Sequence, residues 1–273
     1  RDGRYRLRIA TDGSGTGLQV DDPGVYPLTV AIGRPDGTTG ARLTTFLVRP
    51  PEDAAATPLR TAVILPLHAA PSYGPDGVAA LDDRTRSLLE VRTDVLRRYR
   101  DLALTVVPTP ETLEATDEVD QGLARQVRAV LADRHVVGGP YVRIDLAAWA
   151  AQSSLGADLD EQFDVGERVL ERVLGRTVDR RTWAGFGNPT PAALDALADV
   201  GIDRAVVGAD AVTGPVTPID EPVVVTGDTG QELPAMLSDP ALRAESQGTT
   251  DAVLAAYRTL AELAFLAASP EDG

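Results

Sequence analysis

Thr61-Ala62-Val63-Ile64-Leu65-Pro66-Leu67 is apolar after its first residue and leads directly into His68. Continuous runs of this kind form strands buried on both faces of a parallel sheet. Downstream, Asp82 to Arg100 carries Leu88, Leu89, Val95, Leu96 and Tyr99 at helical spacing, so one β unit is followed by one α unit. The pattern then repeats. A strand at Leu104 to Val107, a helix at Glu118 to Leu131 and a strand at Tyr141 to Ile144 come next. Asp158 to Leu174 is amphipathic, and Arg181 to Ala184 reads as a short strand. Thr190-Pro191 starts a helix that Gly201 terminates. Ala205 to Val207 and Val223 to Val225 are further buried strands, and Thr250 to Ala268 is the last helix. Alternation of strand and helix predicts a parallel sheet or barrel, of which six strands are visible.

Upstream the periodicity is different. Tyr5 to Ile9 alternates apolar and polar residues, as do Tyr26, Leu28, Val30 and Ile32, which predicts half-buried strands. Asp36-Gly37 suits a tight turn, and Leu43 to Val48 returns, so Val25 to Val48 predicts a hairpin. Gly13-Ser14-Gly15-Thr16-Gly17 reads as a turn and not a phosphate loop, since no helical pattern follows it. Pro50 to Pro58 is a polar, proline-flanked connector. It divides a small all-β module, residues 1–58, from an α/β domain, residues 59–273. The β module is expected to lack upstream strands, and the α/β domain its closing one.

Composition narrows the partners. Of the charged side chains 26 are basic, all of them arginine, and 41 are acidic, giving a net charge of −15. That field repels phosphate backbones and anionic headgroups, so nucleic acid is not an expected partner. Cysteine is absent, which removes disulfides, thiolate nucleophiles and cysteine-based zinc sites. The lack of lysine beside abundant Ala, Arg, Asp, Gly, Val and Pro suggests a GC-rich coding bias of actinobacterial type. No apolar run reaches the roughly 20 residues of a membrane helix. The opening Arg1-Asp2-Gly3 is not a signal peptide, so any membrane anchor is expected in a longer chain.

Three stretches together carry a resemblance. They are Gly24-Val25-Tyr26-Pro27-Leu28 leading to Thr45-Phe46-Leu47-Val48, then Ala62 to Leu67, then Tyr141-Val142-Arg143-Ile144-Asp145-Leu146-Ala147-Ala148. Leu233 to Pro240 and Leu260 to Ala264 fit the same pattern. The chain resembles an exported actinobacterial cell-envelope protein family of unknown function. The resemblance implies an immunoglobulin-like module before an incomplete or seven-stranded (β/α) barrel similar to glycoside hydrolases and polysaccharide deacetylases. It also implies an extracytoplasmic, membrane-anchored protein of envelope assembly, whose partner is a cell-wall glycan, a precursor or a membrane protein of envelope synthesis. Thr182-Trp183, Asn188 to Leu194 and Leu197 to Ile202 are similar to a strand-turn-helix of the deacetylase barrel, a likeness of fold alone.

In such barrels reacting groups sit at the C-terminal ends of the strands. The residues delivered there are His68, Glu111 in the turn Thr109-Pro110-Glu111, Asp145, Trp183 and Asp210. A metal-dependent deacetylase needs an aspartate pair after the first strand and two histidines four apart. The only histidines are His68 and His135, so neither metal nor cofactor is expected. A metal-free glycosidase needs two carboxyl groups about 5 to 9.5 Å apart, for which Glu111 and Asp145 are the candidates. Each has a structural alternative. Glu111 suits the first turn of a helix, and Asp145 suits the N-cap of Leu146 to Ala151. His68 is a candidate base or a satisfied structural histidine, while His135 reads as a solvated charge after a helix. Trp183, Tyr73, Trp149 and Tyr141 are candidates for stacking on sugar rings, or core aromatics. Asp210 is a further candidate ligand-binding residue. The leading expectation is a non-catalytic or degenerate deacetylase-like scaffold. A metal-independent glycosidase, or a protein-interaction module acting through the β domain, are the alternatives.

Overall fold

Half-buried Tyr26, Leu28 and Val30 alternate with exposed Pro27, Thr29 and Ala31 along β1 (Gly24–Gly33), which pairs antiparallel with β2 (Thr39–Arg49). The register runs from Gly24 opposite Arg49 to Ile32 opposite Ala41, with an irregularity between Ile32 and Gly33. The Arg34 amide donates to the Thr38 carbonyl at 2.8 Å, and Gly37 supplies the positive φ of +84° that the reversal requires. The computed structural model describes residues 8–11, 13, 15, 17–34, 37–50, 59–185, 189–213, 221–247 and 252–268. The expected strand at Tyr5, Arg6 and Leu7, Asp36 of the turn and the connector at 51–58 therefore lie outside the described residues.

The α/β unit spans Thr61–Asp239. It opens with β3 (Val63–Leu67) and α1 (Asp83–Arg98), followed by β4 (Leu104–Pro108). The Asp82 carboxylate caps α1 by accepting from the Thr85 amide at 2.6 Å. The other end of α1 is held by the buried Arg134, whose guanidinium donates to the carbonyls of Tyr99 at 2.7 Å and Leu102 at 2.6 Å. The helix expected from Glu118 to Leu131 starts at Gln121, as α3 (Gln121–Leu131), and is preceded by a separate helix, α2 (Pro110–Val119). They are broken where the Asp120 side chain caps α3 through the Leu123 amide at 3.0 Å.

The third strand also differs from expectation. β5 is His135–Val136, and Tyr141 to Ile144 is irregular. Gly138-Gly139-Pro140 ends the strand early and carries the chain across its C-terminal end toward α4 (Leu146–Ala150). α5 (Gly156–Leu174), β6 (Thr182–Trp183), α6 (Pro191–Asp199) and β7 (Arg204–Gly208) then follow the expected alternation. β8 (Val223–Thr226) is an antiparallel edge strand, and β9 (Glu232–Ser238) lies between it and β7. β9 escapes a simple reading because Pro234 interrupts it. Leu233, Ala235 and Leu237 still face the core, and Pro234 faces outward opposite Val224.

The sheets are β3-β4-β5, all parallel, and β6-β7-β9-β8. Among the described residues a single parallel bridge, Val137 to Asp179, joins the two runs. Ile64, Val107, Val137, Ala184 and Val206, one from each successive strand or its direct extension, pack together. Two larger clusters hold the helices, one around Leu89, Leu131 and Leu170, the other around Phe163, Leu197 and Val207. Among the described residues no ladder closes β3 onto the β8–β9 edge, so the fold is a mixed α/β arc with parallel sheets and not a closed barrel. β3 is consequently an edge strand. Only Leu67 in it is fully buried, not the whole run.

The last helices, α7 (Pro240–Gln247) and α8 (Ala252–Ala268), group with the hairpin in the unit Arg1–Arg60 plus Pro240–Gly273. The expectation that residues up to 273 belong to the barrel is thus corrected. α8 packs on β1 and β2, and its Ala261 is buried. Among the described residues this unit holds a two-stranded sheet backed by helix, where an immunoglobulin-like sandwich was expected. No described helix is long and apolar enough to cross a membrane.

Candidate functional site at the strand ends

β3 ends at Leu67, so His68 emerges at its C-terminal end beside the end of β4. There the Thr109 amide donates to the Leu67 carbonyl at 3.1 Å, which ties the two strand ends together. Thr109 is the N-cap of α2, yet its hydroxyl makes no capping bond. Its Oγ1 lies 2.7 Å from His68 Nδ1 and shares a hydrogen bond with it. The helix tolerates this. Pro110 at its first position has no N–H to satisfy, and the Glu111 amide donates to the Tyr141 carbonyl at 3.0 Å.

A cavity of about 50 Å³ opens at these ends. Its walls are His68 after β3, Val107 to Thr109 from β4, Gly138 to Pro140 and Val142 to Ile144 after β5, and Trp183 to Gly185 from β6. The volume suits several waters or one small group. Its described lining contains an imidazole, a guanidinium, an indole and a hydroxyl, with no carboxyl group among them. Burial, then the guanidinium charges of Arg143 and Arg92, push the His68 imidazole down to about 4. It is neutral at pH 7.

That depression has a stability consequence. Between pH 6.5 and about 4 the unfolded chain takes up a proton at His68 that the folded chain refuses. The contribution is present above pH 6.5 and is lost as the pH falls toward 4. Allowing for the partial exposure of the ring, the loss amounts to about 2 kcal/mol. Urea midpoints measured at pH 7 and pH 4.5 should show it as a difference between the parent and His68→Gln, in which that step is absent.

The remaining candidates sit elsewhere. Glu111 is 2% exposed. Its Oε1 accepts from the amides of Ser72 and Tyr73, the latter at 3.0 Å, and its Oε2 accepts from the Thr112 hydroxyl at 3.3 Å. Asp145 is exposed and caps α4 by accepting from the Ala148 amide at 3.1 Å. Neither lines the cavity. Tyr73 is half-buried, and its hydroxyl is pushed well above the ordinary tyrosine range by burial first and then by its hydrogen bond to Glu118. Asp210 is exposed in the turn after β7. His135, expected as a helix-end charge, is a strand residue whose Nε2 lies 3.2 Å from the Asp179 carboxylate.

His68 and Trp183 are therefore the candidates that the fold brings to one cavity, joined there by Thr109 and Arg143. The Gly138-Gly139-Pro140 turn is the sequence signal for this corner, because it brings backbone across a strand end. Among the described residues no group of three or more His, Cys, Asp or Glu is placed to hold a metal ion.

Comparison with known proteins adds a distant likeness of fold. No protein-family profile matches the chain, and no curated protein matches it. Among solved structures, the chain is similar to a 4-alpha-glucanotransferase from Thermococcus litoralis, at 16% identity over 59% of this chain and 25% of that one, with a TM-score of 0.45. It is also similar to the alpha-amylase AmyC from Thermotoga maritima, at 13% identity over 68% of this chain and 46% of that one, with a TM-score of 0.44. The chain spans less than half the length of either.

Proposed function

We propose that the Thr61–Asp239 unit is a carbohydrate-binding scaffold, a degenerate relative of the glycoside hydrolase and deacetylase barrels, that serves cell-envelope assembly outside the cytoplasmic membrane. The observation that carries this reading is the cavity at the strand ends. Its described walls present a neutral imidazole, an indole and a guanidinium, whereas the two candidate carboxyl groups, Glu111 and Asp145, are not among its lining residues and accept from backbone amides. Glycoside hydrolysis needs an acid and a base or nucleophile facing each other across the bond. Donors without such a pair suit binding. The envelope setting rests on the sequence resemblance, with a wall glycan, a precursor or a membrane protein of envelope synthesis as the partner.

The test is a titration of the whole chain with oligosaccharides released from cell-wall peptidoglycan. Binding is followed by the tryptophan and histidine NMR signals, and the same samples are assayed for released acetate and new reducing ends. Saturable binding without release is expected. Release that disappears in Glu111→Gln or Asp145→Asn would replace this reading with the glycosidase one.

A further inference from the structure

We propose that the free edge of β8 is a docking site for an extended, apolar segment of another protein that carries arginine or lysine at its ends. The edge lies outside the strand-end cavity, so it stands apart from the glycan-binding reading. β8 pairs with β9 on one side, and no other described strand pairs with it. An edge strand presents unpaired backbone donors and acceptors, which proteins normally guard with a charge, a proline or a bulge. The opposite edge of the arc has such a guard, since Pro66 interrupts β3. β8 has none. Its four residues, Val223-Val224-Val225-Thr226, hold no charge and no proline, and they pair with β9 in regular register. Val224 is 60% exposed. Opposite it stands Pro234, exposed on the same face, and Met236 on that face is exposed as well. The edge therefore offers an added strand both a hydrogen-bonding ladder and an apolar strip, the two elements of strand addition.

Charge decides the occupant. Residues 221–238 contain Glu221, Asp228 and Glu232 and no basic side chain. All three carboxylates are exposed, and among the described residues none makes an ion pair. Asp120, Asp164 and Asp203, elsewhere in the same unit, are each paired with an arginine. Glu221 precedes β8, Asp228 lies in the turn after it, and Glu232 stands opposite Thr226, so both ends of the strand are acidic. A second copy of the chain is thereby disfavoured. In an antiparallel pair of two β8 strands carboxylates would face carboxylates, and each copy carries −15. A strand with basic ends meets these carboxylates instead, and β-branched residues between its ends cover Val224.

The experiment is an NMR titration of the full chain, followed at the β8 amides, with three short synthetic peptides. The first alternates valine and threonine between terminal arginines, the second has the same core between terminal glutamates, and the third is the arginine-ended peptide with prolines at alternate core positions. The arginine-ended peptide should shift the β8 signals saturably, slow their hydrogen exchange and leave the His68 signal in the cavity still. The glutamate-ended peptide should bind at least about tenfold more weakly, and added salt should narrow the difference. The proline peptide lacks the donors that a ladder needs and should not bind. Glu221→Gln, Asp228→Asn and Glu232→Gln together should weaken the arginine-ended peptide about tenfold, at the strength of three exposed charge pairs. Val224→Lys should abolish binding with the urea midpoint unchanged, because that side chain is exposed. If this variant unfolds, the three peptides on the parent chain decide the matter alone. Equal binding of the arginine-ended and glutamate-ended peptides overturns the basic partner. Binding of the proline peptide as tight as that of the first overturns strand addition, and binding of none of the three overturns the docking edge. A dimer in sedimentation velocity that Val224→Lys dissociates makes a second copy the occupant and overturns the proposal. Binding of wall oligosaccharides, read at His68, tests the scaffold reading separately.

Discussion

Replacing Gly166 by alanine should destabilise the protein by about 2 to 4 kcal/mol, although helix propensity alone favours the change by about 1 kcal/mol. Gly166 lies within α5, where alanine is the better helix former. The helix, however, passes directly under the segment that leaves β5. A Cβ at Gly166 would overlap the Gly139 carbonyl oxygen and stand 3.1 Å from the Tyr141 amide nitrogen and 3.2 Å from Pro110 Cγ. Two of these neighbours are backbone, so nothing can swing aside. The segment is also pinned from both sides. The Tyr141 amide donates to the Gln162 carbonyl at 2.8 Å, and the Tyr141 carbonyl accepts from Glu111. Relief must therefore come from moving α5 or the 139–141 backbone, at the expense of one of these bonds. Gly156, at the start of the same helix with nothing near its would-be Cβ, is the control, and its alanine variant should be neutral or slightly stabilised. Urea denaturation of the three proteins separates steric contact from propensity. Because Gly139 and Pro140 line the cavity, Gly166→Ala should weaken ligand binding as well.

How far the sequence carried this reading depends on the period of each segment. Helices with an unbroken apolar stripe, such as α1, α5 and α8, are legible to within a few residues, because 3.6-residue periodicity over four or five turns has no competing explanation. The short strands are less so. Val136 and Val137 are flanked by Arg134-His135 and Gly138-Gly139, too few apolar residues to form a pattern. The more apolar Tyr141 to Ile144 looked like the strand, although it lies past the Gly-Gly-Pro turn. The assignment of the last helix failed for a different reason. An amphipathic face shows that a helix packs, not what it packs on, and α8 packs on the hairpin.

The site was legible where a strand end delivers a residue directly, as His68 and Trp183 do. Arg143 was hidden because an arginine in an irregular segment carries no periodic signal, and its place at the cavity depends on how Gly138-Gly139-Pro140 turns the chain. For Glu111 and Asp145 the helix-terminus alternatives anticipate where the carboxylates sit. Asp145 is the α4 cap, and Glu111 lies in the first turn of α2, although its oxygens serve another loop.

That use of Glu111 leads to the second large effect. Glu111→Ala should destabilise the chain by about 3 to 5 kcal/mol, and Glu111→Gln by about 1 to 2 kcal/mol. In the alanine variant the amides of Ser72 and Tyr73 lose their common acceptor. Ser72 is itself buried, so solvent does not readily replace the carboxylate, and each stranded N–H costs about 1 to 3 kcal/mol. The glutamine carbonyl can still accept from both amides, and its NH2 can turn to the Thr112 hydroxyl oxygen. What it loses is the charge that strengthens those bonds. The ordering of the two variants is therefore the test of a backbone-anchoring role, and hydrogen exchange at Ser72 and Tyr73 is its local readout. Exchange there should accelerate strongly in Glu111→Ala and modestly in Glu111→Gln, with the β4 amides following only as far as global stability falls. Equal stability of parent, Gln and Ala would mean that the carboxylate does not hold the loop after β3. Glu111 would then return to the list of groups available for chemistry. The expected outcome is the opposite, a carboxylate committed to joining the loop after β3 to the first turn of α2, next to the cavity-lining Thr109.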